Sequence, residues 1–365
     1  MIAYLQYFGG LKMRNITLKD VANQLQISRI TVSKVINNKP GVSLGTKKKV
    51  LQKLLESGYD KLSDEQVRFA SESHEESDKC IAVVTIAPDF SEFWLKIINS
   101  ISKALTNTGY DFIYSILVKN DEDKYTLPKI IGSRHVSGII VINVYDEAII
   151  DNLLETKIPT VFLDTTPNMY QRHSGCDLLL LDGSRSIYQI TEHIINNGLT
   201  EFGFIGDITY SKTILDRWEG FKTALNDHHL QISPQYCFTH SSYGHFYYME
   251  EIVNALKGIT SMPQAFVCAN DYIAFLLIDY LKSKGYRVPE DIAVSGYDNI
   301  REKITVESQL TTVCVDTEIL GERLVKQIFM RIEIPQLPNE ITYVQPKIIY
   351  RKSTEKHIEN SCANK

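Results

Sequence analysis

The chain has 365 residues, a formal net charge of -5 and 44% hydrophobic residues. This length exceeds that of one ordinary domain and indicates two or three. Its apolar stretches are shorter than the ~18–20 residues of a membrane span, and its apolar start lacks the basic region and cleavage site of a signal peptide. These features predict a cytoplasmic protein with no membrane segment.

The charge is distributed unevenly along the chain. Residues 1–61 hold eleven Lys and Arg against three Asp and Glu, so they carry +8 and the remainder carries -13. A basic head on an acidic body indicates that only the head meets a polyanion. The alternative is a solvated charged face. Met13 precedes the first clear motif, so residues 1–13 are interpreted as a tail, or translation starts at Met13.

The head contains three short amphipathic patterns. Thr17 is a candidate N-cap before a first helix, and Ser28 is a candidate N-cap before a second. Two short helices with a tight turn between them predict a helix-turn-helix. A third helix is expected to begin at Ser43 or Thr46 and to end at Gly58.

The rest of the chain changes character twice. Residues 61–79 are rich in Ser, Glu and Asp and are predicted to be a linker. From Cys80 onward, strand patterns alternate with helical patterns, which predicts a doubly wound α/β body of two lobes. The six cysteines are scattered, which favours reduced thiols over disulfides or a metal site.

Signatures of catalysis are lacking in the sequence. It has no nucleophile elbow, no phosphate-cradling glycine loop and no convincing pair of carboxylates. The histidines His228, His229, His240 and His245 have a spacing that matches no known metal site. We therefore expect no enzyme activity, no cofactor and no metal.

Several ordered motifs resemble one known family. The head carries Thr17-Leu-Lys-Asp-Val-Ala, Ser28-x-x-Thr-Val-Ser-Lys-Val-Ile-Asn37 and Gly58-Tyr59, and the body carries Pro159-x-Val-x-Leu-Asp164, Arg217-Trp-Glu-Gly-Phe221, Ala269-Asn-Asp271 and Ser295-Gly-Tyr-Asp-Asn299. Together they closely resemble the LacI/GalR family of bacterial transcription regulators, from Met13 to about Thr354.

The resemblance implies a fold and a set of boundaries. An all-α helix-turn-helix headpiece would occupy residues 14–60, with the linker or hinge at 61–79. A body like the periplasmic sugar-binding proteins, with two Rossmann-like lobes that also dimerise, would occupy 80–354, and 355–365 would be a tail. Three crossovers between the lobes are expected near Leu180–Asp182, Gln309–Thr311 and Ile334–Pro338.

The resemblance also implies which head residues meet DNA. Its base-reading positions fall on Arg29, Ile30 and Lys34 in the second helix, which would enter the major groove. For Arg29 and Lys47 the alternative is a merely solvated charge. Further DNA contacts, mostly to phosphates, are implied for Thr17, Ser28, Thr31, Ser33, Asn37 and Lys47.

The linker departs from the family pattern. After Tyr59 the family has Pro-Asn and then Ala-Arg-x-Leu, which forms a helix on the operator and inserts a leucine into the minor groove; both motifs are missing here. Residues 62–79 carry -4. We therefore hypothesise that kinking by an intercalated side chain is weak or absent, with Leu62 or Phe69 as alternative wedges. Gln26 also stands where the family usually has glycine.

In the body, the resemblance implies an effector cleft. Arg217, Asp298, Asn270 and Asp164 match cleft positions, with Phe93 or Trp94 stacking on the ligand and Tyr243 or Phe246 lining it. The alternatives are an ion pair of Arg217 with Glu219 or Asp216, and plain packing for the aromatic residues. For the nearby Asp271, the alternative is a helix cap.

These expectations converge on one function. The chain is predicted to be a homodimeric repressor that binds double-stranded operator DNA and responds to a small-molecule effector, expected to be a carbohydrate. Two alternatives stay open: a regulator controlled by a partner protein or by no effector, and a solute-binding protein with no DNA role. The sequence leaves open the effector, the operator, and induction versus co-repression.

Overall fold

A computed structural model of the chain describes residues 17–39, 41–42, 44–59, 61–71, 79–86, 92–132, 135–169, 175–243, 245–300 and 309–355. The chain forms two compact units, residues 1–77 and 78–365, and each is described by itself. The expectations for the N-terminal tail, the start at Met13, Ser43 and most of the C-terminal tail lie outside the described residues.

The first unit is helical, as the sequence predicts. Its helices are α1 (Leu18–Gln24), α2 (Arg29–Ile36), α3 (Leu44–Glu56) and α4 (Asp64–Ser71). Thr17 begins α1 with a capping box shared with Asp20, which satisfies backbone N–H groups that a helix start leaves free. The helices enclose one small apolar core, formed by Val21, Ala22, Val32, Val35, Val50, Leu51, Leu54 and Ala70.

Helix α4 corrects the prediction of a linker over residues 61–79, which is wrong for residues 61–71. Ser63 and Gln66 form a second capping box: the Ser63 N–H donates to Gln66 Oε1 at 3.0 Å and the Gln66 N–H to Ser63 Oγ at 3.2 Å. Helix α4 packs on α3, and Ala70 is only 5% exposed. The polar composition reflects exposed faces, while a few apolar residues suffice to dock the helix.

The first lobe of the body is built on a six-stranded parallel sheet in the order β11-β5-β4-β3-β1-β2. Strands β3 to β5 are buried along nearly their whole length, as a parallel sheet covered on both faces requires. Its strands are β1 (Cys80–Ile86), β2 (Asp111–Leu117), β3 (Val136–Ile142), β4 (Thr160–Leu163), β5 (Asp177–Leu181) and β11 (Ile341–Val344). Its helices are α5 (Glu92–Leu105), α6 (Glu147–Glu155) and α11 (Thr317–Glu333).

The second lobe has a four-stranded parallel sheet in the order β7-β6-β8-β9 and an antiparallel pair of β10 with β12. Its strands are β6 (Phe202–Ile205), β7 (Cys237–Phe238), β8 (Ala265–Cys268), β9 (Ala293–Ser295), β10 (Thr312–Cys314) and β12 (Lys347–Ile349). Its helices are α7 (Gly183–Asn196), α8 (Lys212–Asp227), α9 (Met249–Leu256) and α10 (Asp271–Ser283). The α/β body of two Rossmann-like lobes is thereby confirmed.

The chain crosses between the lobes three times, but only the first crossing lies where the sequence places it, between β5 and α7. The second lies between Cys314 and Thr317, because β10 still pairs in the second lobe while α11 packs on α5 in the first. The third lies between Val344 and Lys347, because β11 extends the first sheet. The crossings expected from the family resemblance near Gln309–Thr311 and Ile334–Pro338 are therefore wrong, and the short strands β11 and β12 beside the third crossing were not predicted.

A buried ion pair fastens the last first-lobe segment. Asp177 is 0% exposed and Arg331 is 7% exposed, and the guanidinium donates to both Asp177 oxygens at 2.6 and 3.1 Å. Arg331 also donates to the carbonyls of Leu337 and Pro338, and the Glu340 N–H donates to Asp177 at 2.9 Å. These bonds tie β5, α11 and the approach to β11 together.

Candidate DNA interface and effector cleft

Helix α2 has one buried and one exposed face. Ser28 caps its start, with Ser28 Oγ accepting from the Thr31 N–H at 3.0 Å. Val32 and Val35 are fully buried, whereas Arg29 is exposed and Ile30 is 69% exposed. At the start of a helix, a guanidinium fork can pair with guanine and an apolar side chain can contact a thymine methyl group.

The other predicted DNA contacts surround this helix and take part in local structure. Thr17 Oγ1 donates to the Asp20 carboxylate at 2.7 Å. The Asn37 amide donates to the Ser33 carbonyl at 2.8 Å, and Lys47 donates to the side chain of Asn38. Lys34 lies in the last turn of α2. The side chain of Phe69 lies outside the described residues, and Leu62 packs partly buried against the headpiece core, which argues against Leu62 as a free wedge.

The turn between α1 and α2 explains the family's glycine. Gln26 has a φ of +54°, a left-handed conformation that costs a residue with a Cβ atom roughly 1–2 kcal/mol. Glycine adopts it without that penalty. The departure is therefore a local strain in the helix-turn-helix and leaves its geometry intact.

In the body, Asp164 joins the two lobes directly. It follows β4 in the first lobe, and its Oδ1 accepts from the N–H groups of Thr165 at 2.8 Å and Thr213 at 3.2 Å. Its Oδ2 accepts from Tyr145 Oη at 3.0 Å and Thr213 Oγ1 at 2.6 Å. Thr213 belongs to α8 in the second lobe, and the neighbouring Lys212 N–H donates to the Thr165 carbonyl at 2.7 Å.

Arg217 and Asp298 meet at the carboxyl edge of the second sheet. Arg217 is 5% exposed, and its guanidinium carbon lies 3.6 Å from the centre of the Tyr297 ring. Its Nη1 donates to the Ala269 carbonyl at 2.6 Å, its Nη2 lies 3.8 Å from Asp298 Oδ1, and its Nε has no hydrogen-bond partner. Burial raises the pKa of Asp298 to about 6, although Arg217 opposes the rise.

The alternative ion pairs for Arg217 are not formed. Asp216 pairs with Lys212, and Glu219 pairs with Lys222 at 2.9 Å. Arg217 therefore turns inward, with a donor to spare in a nearly dry environment. Such a group can bind an acceptor on a ligand.

Asn270, not Asp271, caps helix α10. Asn270 Oδ1 accepts from the Ile273 N–H at 2.9 Å, and its Nδ2 donates to Tyr247 Oη at 2.9 Å. Asp271 accepts instead from Thr312 Oγ1 at 2.6 Å, and burial raises its pKa well above the ordinary value. The helix-cap alternative for Asp271 is thus wrong. Asp271 instead connects the start of α10 to β10 through its hydrogen bond with Thr312.

A cluster of aromatic rings crosses the cleft. The rings of Tyr145 (first lobe) and Tyr210 (second lobe) have centres 4.4 Å apart, and His245 stacks on Tyr210 at 4.0 Å. His245 Nδ1 lies 2.8 Å from Asp207 Oδ2, and this contact helps to lower the pKa of the Asp207 carboxyl against the opposing effect of its burial. The sequence reasoning missed this cluster.

The predictions for the segment 240–248 need correction. Tyr243 does not join the cluster, because its ring is 58% exposed and stacks on Tyr248. Phe246 is buried in the core. The cleft residues of this segment are His245 and Tyr247. The sequence positions of Tyr145 and Tyr210 could have predicted their place in the cleft. They follow β3 and β6, and clefts form at the carboxyl ends of parallel strands.

Next to Asp298 lies a cavity of about 220 Å³. First-lobe residues Phe93 and Lys96 from α5 face Asp298, Asn299 and Ile300 across it. Phe93 packs edge-to-face against Trp94, with ring centres 5.0 Å apart. Phe93 thus contributes directly to the wall, and Trp94 supports it.

Two negative findings concern the described residues. None of their helices is long and apolar enough to cross a membrane. Their His, Cys, Asp and Glu side chains form no group that could hold a metal ion.

Comparison with known proteins agrees with this division of the chain. Residues 17–61 match the model of the bacterial regulatory proteins of the lacI family, and residues 191–354 match the periplasmic binding protein-like domain. The HTH-type transcriptional repressor PurR of Mannheimia succiniciproducens is 28% identical over 343 residues, which cover 93% of this chain and 99% of the relative.

Two solved structures share the fold over 93% of this chain and 99% of their own. One is the transcriptional regulator CelR in complex with cellobiose, at 20% identity and a TM-score of 0.63. The other is the lac repressor dimer bound to operator and an anti-inducer, at 21% identity and a TM-score of 0.60.

The helical unit and the cleft-bearing body define a class of protein, a transcription regulator with a helix-turn-helix head and a periplasmic-binding-protein-like body. Within that class, the lacI-family head, the periplasmic-binding-protein-like body and the match to PurR over nearly the whole chain support a LacI/GalR regulator.

Proposed function

We propose that the protein is a sequence-specific DNA-binding repressor whose operator affinity is set by a small-molecule effector. The observation that carries the proposal is helix α2, which buries Val32 and Val35 and presents Arg29 and Ile30 on its exposed face. The relatives named as transcriptional repressors support it, because the chain matches them over nearly their whole length. A DNA role places the protein's action in the cytoplasm, with the operator as its partner.

Binding to duplexes selected from a random pool tests the DNA role. Arg29→Ala is expected to weaken binding to the selected operator about 5- to 150-fold, the loss of one bidentate base contact. Binding to unselected DNA should change little. The matched control is Lys326→Ala, which removes one positive charge from the body. Failure of the wild type to bind any duplex would contradict the DNA role and favour a solute-binding protein, and equal binding of all duplexes would contradict sequence specificity.

We propose a carbohydrate as the effector, bound beside Phe93, Arg217 and Asp298. A carboxylate that accepts from hydroxyls, an arginine with a spare donor and an aromatic wall suit such a ligand. The structural neighbour CelR, which was solved as a cellobiose complex, supports this class of ligand. Trp94 packs against Phe93 in this wall, and Asn270, which donates to Tyr247 Oη, is a further proposed cleft residue. We assign Asp164 to joining the lobes, since four donors occupy its oxygens.

Thermal-shift screening of sugars, nucleobases and sugar phosphates tests the effector. A ligand that binds the folded state raises the melting temperature by mass action. Phe93→Ala and Asp298→Asn are expected to abolish the shift, whereas Tyr243→Ala, outside the cleft, should retain it. Absence of a shift with every compound would favour control by a partner protein.

We propose that the regulator acts as a homodimer. Tyr248, Met249, Val253 and Tyr272 have exposed fractions of 37–56%, and they lie at the start of α9, within it and near the start of α10, two helices that pack together. Exposed apolar side chains grouped on neighbouring helices favour an interface. Sedimentation of Val253→Asp should show loss of the dimer, with Lys326→Asp as the control; a wild-type monomer at micromolar concentration would refute the proposal.

A further inference from the structure

The end of helix α2 is capped by a side chain from far along the chain. Gln66 Nε2 donates to the carbonyl oxygen of Ile36, the last residue of α2, at 2.9 Å. Helix ends leave carbonyls without intrahelical donors. Here the following N–H groups of Asn37, Asn38 and Lys39 donate to carbonyls earlier in α2. The Gln66 amide therefore satisfies an acceptor at the end of the helix proposed to read DNA.

Gln66 is itself held at its other atom. Its Oε1 accepts from the Ser63 N–H in the capping box that begins α4. Helix α4 is docked on the headpiece, with Ala70 only 5% exposed in the same core that holds Val32 and Val35. One side chain thus links the start of α4 to the end of α2.

In chain order, α4 lies between α2 and the body. Helix α4 ends at Ser71, and the first strand of the body begins at Cys80. Since α4 is the last described element of the head before the body, a displacement passed along the chain from the body would meet α4 before α2. The family's Ala-Arg-x-Leu motif is missing after Tyr59, which makes the contact between α4 and α2 a candidate route to the head.

We propose that Gln66 is a positioning residue that couples α4 to the recognition helix, so that displacement of α4 releases the end of α2 and lowers operator affinity. This inference rests on the proposed function as a DNA-binding regulator. A net hydrogen bond between neutral groups changes a local opening equilibrium by about two- to tenfold.

Hydrogen exchange of the full chain, without DNA, tests the link. Gln66→Met keeps the length and helix propensity of the side chain but removes both ends of the link, the donor to Ile36 and the acceptor from Ser63. Amides in residues 33–39 are expected to exchange about two- to tenfold faster. Gln52→Met, the same change on α3, should leave them at the wild-type rate. Unchanged exchange in Gln66→Met would overturn the proposal.

A double-mutant cycle tests whether α4 acts through Gln66. Ala70→Gly loosens α4 mildly and should by itself speed exchange in residues 33–39. Combined with Gln66→Met it should add little, because the link is already broken. Full additivity would show that α4 acts on α2 by another route and would overturn the coupling.

Operator binding separates failure of the inference from failure of the proposed function. Gln66→Met is expected to weaken binding to the selected operator several-fold relative to Gln52→Met. If the wild type selects no operator, the proposed function fails whatever the exchange result. If the wild type selects an operator and both variants bind it equally, the coupling alone is refuted.

Discussion

Replacing Asp164 with alanine is expected to weaken the direct contact between the two lobes of the body. Its carboxylate accepts four hydrogen bonds, two of them from Thr213 across the cleft. Hydrogen bonds to a charged group contribute roughly 1.5–3 kcal/mol each. The lobe contact therefore loses roughly 3–6 kcal/mol, while the tilted ring contact of Tyr145 with Tyr210 and the bond from the Lys212 N–H to the Thr165 carbonyl remain.

Thr213→Val provides a graded second perturbation. It removes the bond from Thr213 Oγ1 to Asp164 and keeps the bond from the Thr213 N–H. About half the effect of Asp164→Ala is therefore expected. Thr191→Val is the matched control, because the Thr191 hydroxyl bonds to the Ile187 carbonyl inside α7 and takes no part in the lobe contact.

The separation of the lobes can be measured with spin labels at Ala148 and Ser242, which are exposed on the first and second lobe. Burial raises the pKa of the Cys176 thiol to about 12 and that of Cys237 to about 11, so both stay protonated and label slowly. Asp164→Ala should lengthen or broaden the distance distribution, and Thr213→Val should do so less. A distribution identical to that of Thr191→Val would refute a role of Asp164 in holding the lobes together.

The remaining predictions concern stability and pH. Arg331→Met leaves the buried Asp177 carboxylate uncompensated and should cost about 3–5 kcal/mol in urea unfolding of the body followed by tryptophan fluorescence, whereas the exposed Lys326→Met should cost nothing measurable. Gln26→Gly relieves the left-handed strain, and despite glycine's added chain entropy it should stabilise the headpiece by up to about 1 kcal/mol, seen as slower amide exchange; faster exchange would contradict this. Because burial raises the pKa of Asp298 from 3.8 to about 6, the folded state holds its proton more tightly, and stability falls by about 3 kcal/mol at most as pH rises from 4 to 7. Asp298→Asn should remove that fall. If the melting temperatures of the variant and the wild type fall equally between pH 4 and pH 7, the prediction is wrong.

The headpiece was largely predictable because its determinants are local. Thr17 and Ser28 cap the helices they were expected to cap, since capping needs only a hydroxyl next to a helical pattern. The periodicity of Val32 and Val35 marked the buried face of α2, and Arg29 and Ile30 fell on the opposite face. Helix α4 escaped prediction although Ser63 and Gln66 form a local capping box, because the segment has few apolar residues and its docking depends on burial of Ala70 by residues far along the chain.

The cleft was predictable only in part. Arg217 and Asp298 were identified through motifs that resemble a family, and the structure brings them together. Tyr145, Tyr210 and His245 come from three separate loops, so no local pattern linked them. Tyr243 was wrongly predicted to line the cleft. In the loop that carries Tyr243, Phe246 and Tyr247, the three rings point to solvent, core and cleft, and only the fold of the loop decides which ring points where.

The sequence by itself determined the division into a basic helical head and an acidic α/β body, because charge distribution, helix caps and apolar periodicity are properties of short segments. It also determined the buried and exposed faces of α2. Only the tertiary structure decided where the chain crosses between the lobes, that Asp164 joins them, and that Gln66 donates to the Ile36 carbonyl. The contacts of Asp164 with Thr213 and of Gln66 with Ile36 join residues 30 or more positions apart in the chain. They depend on how the elements pack, and no pattern within a single element predicts them.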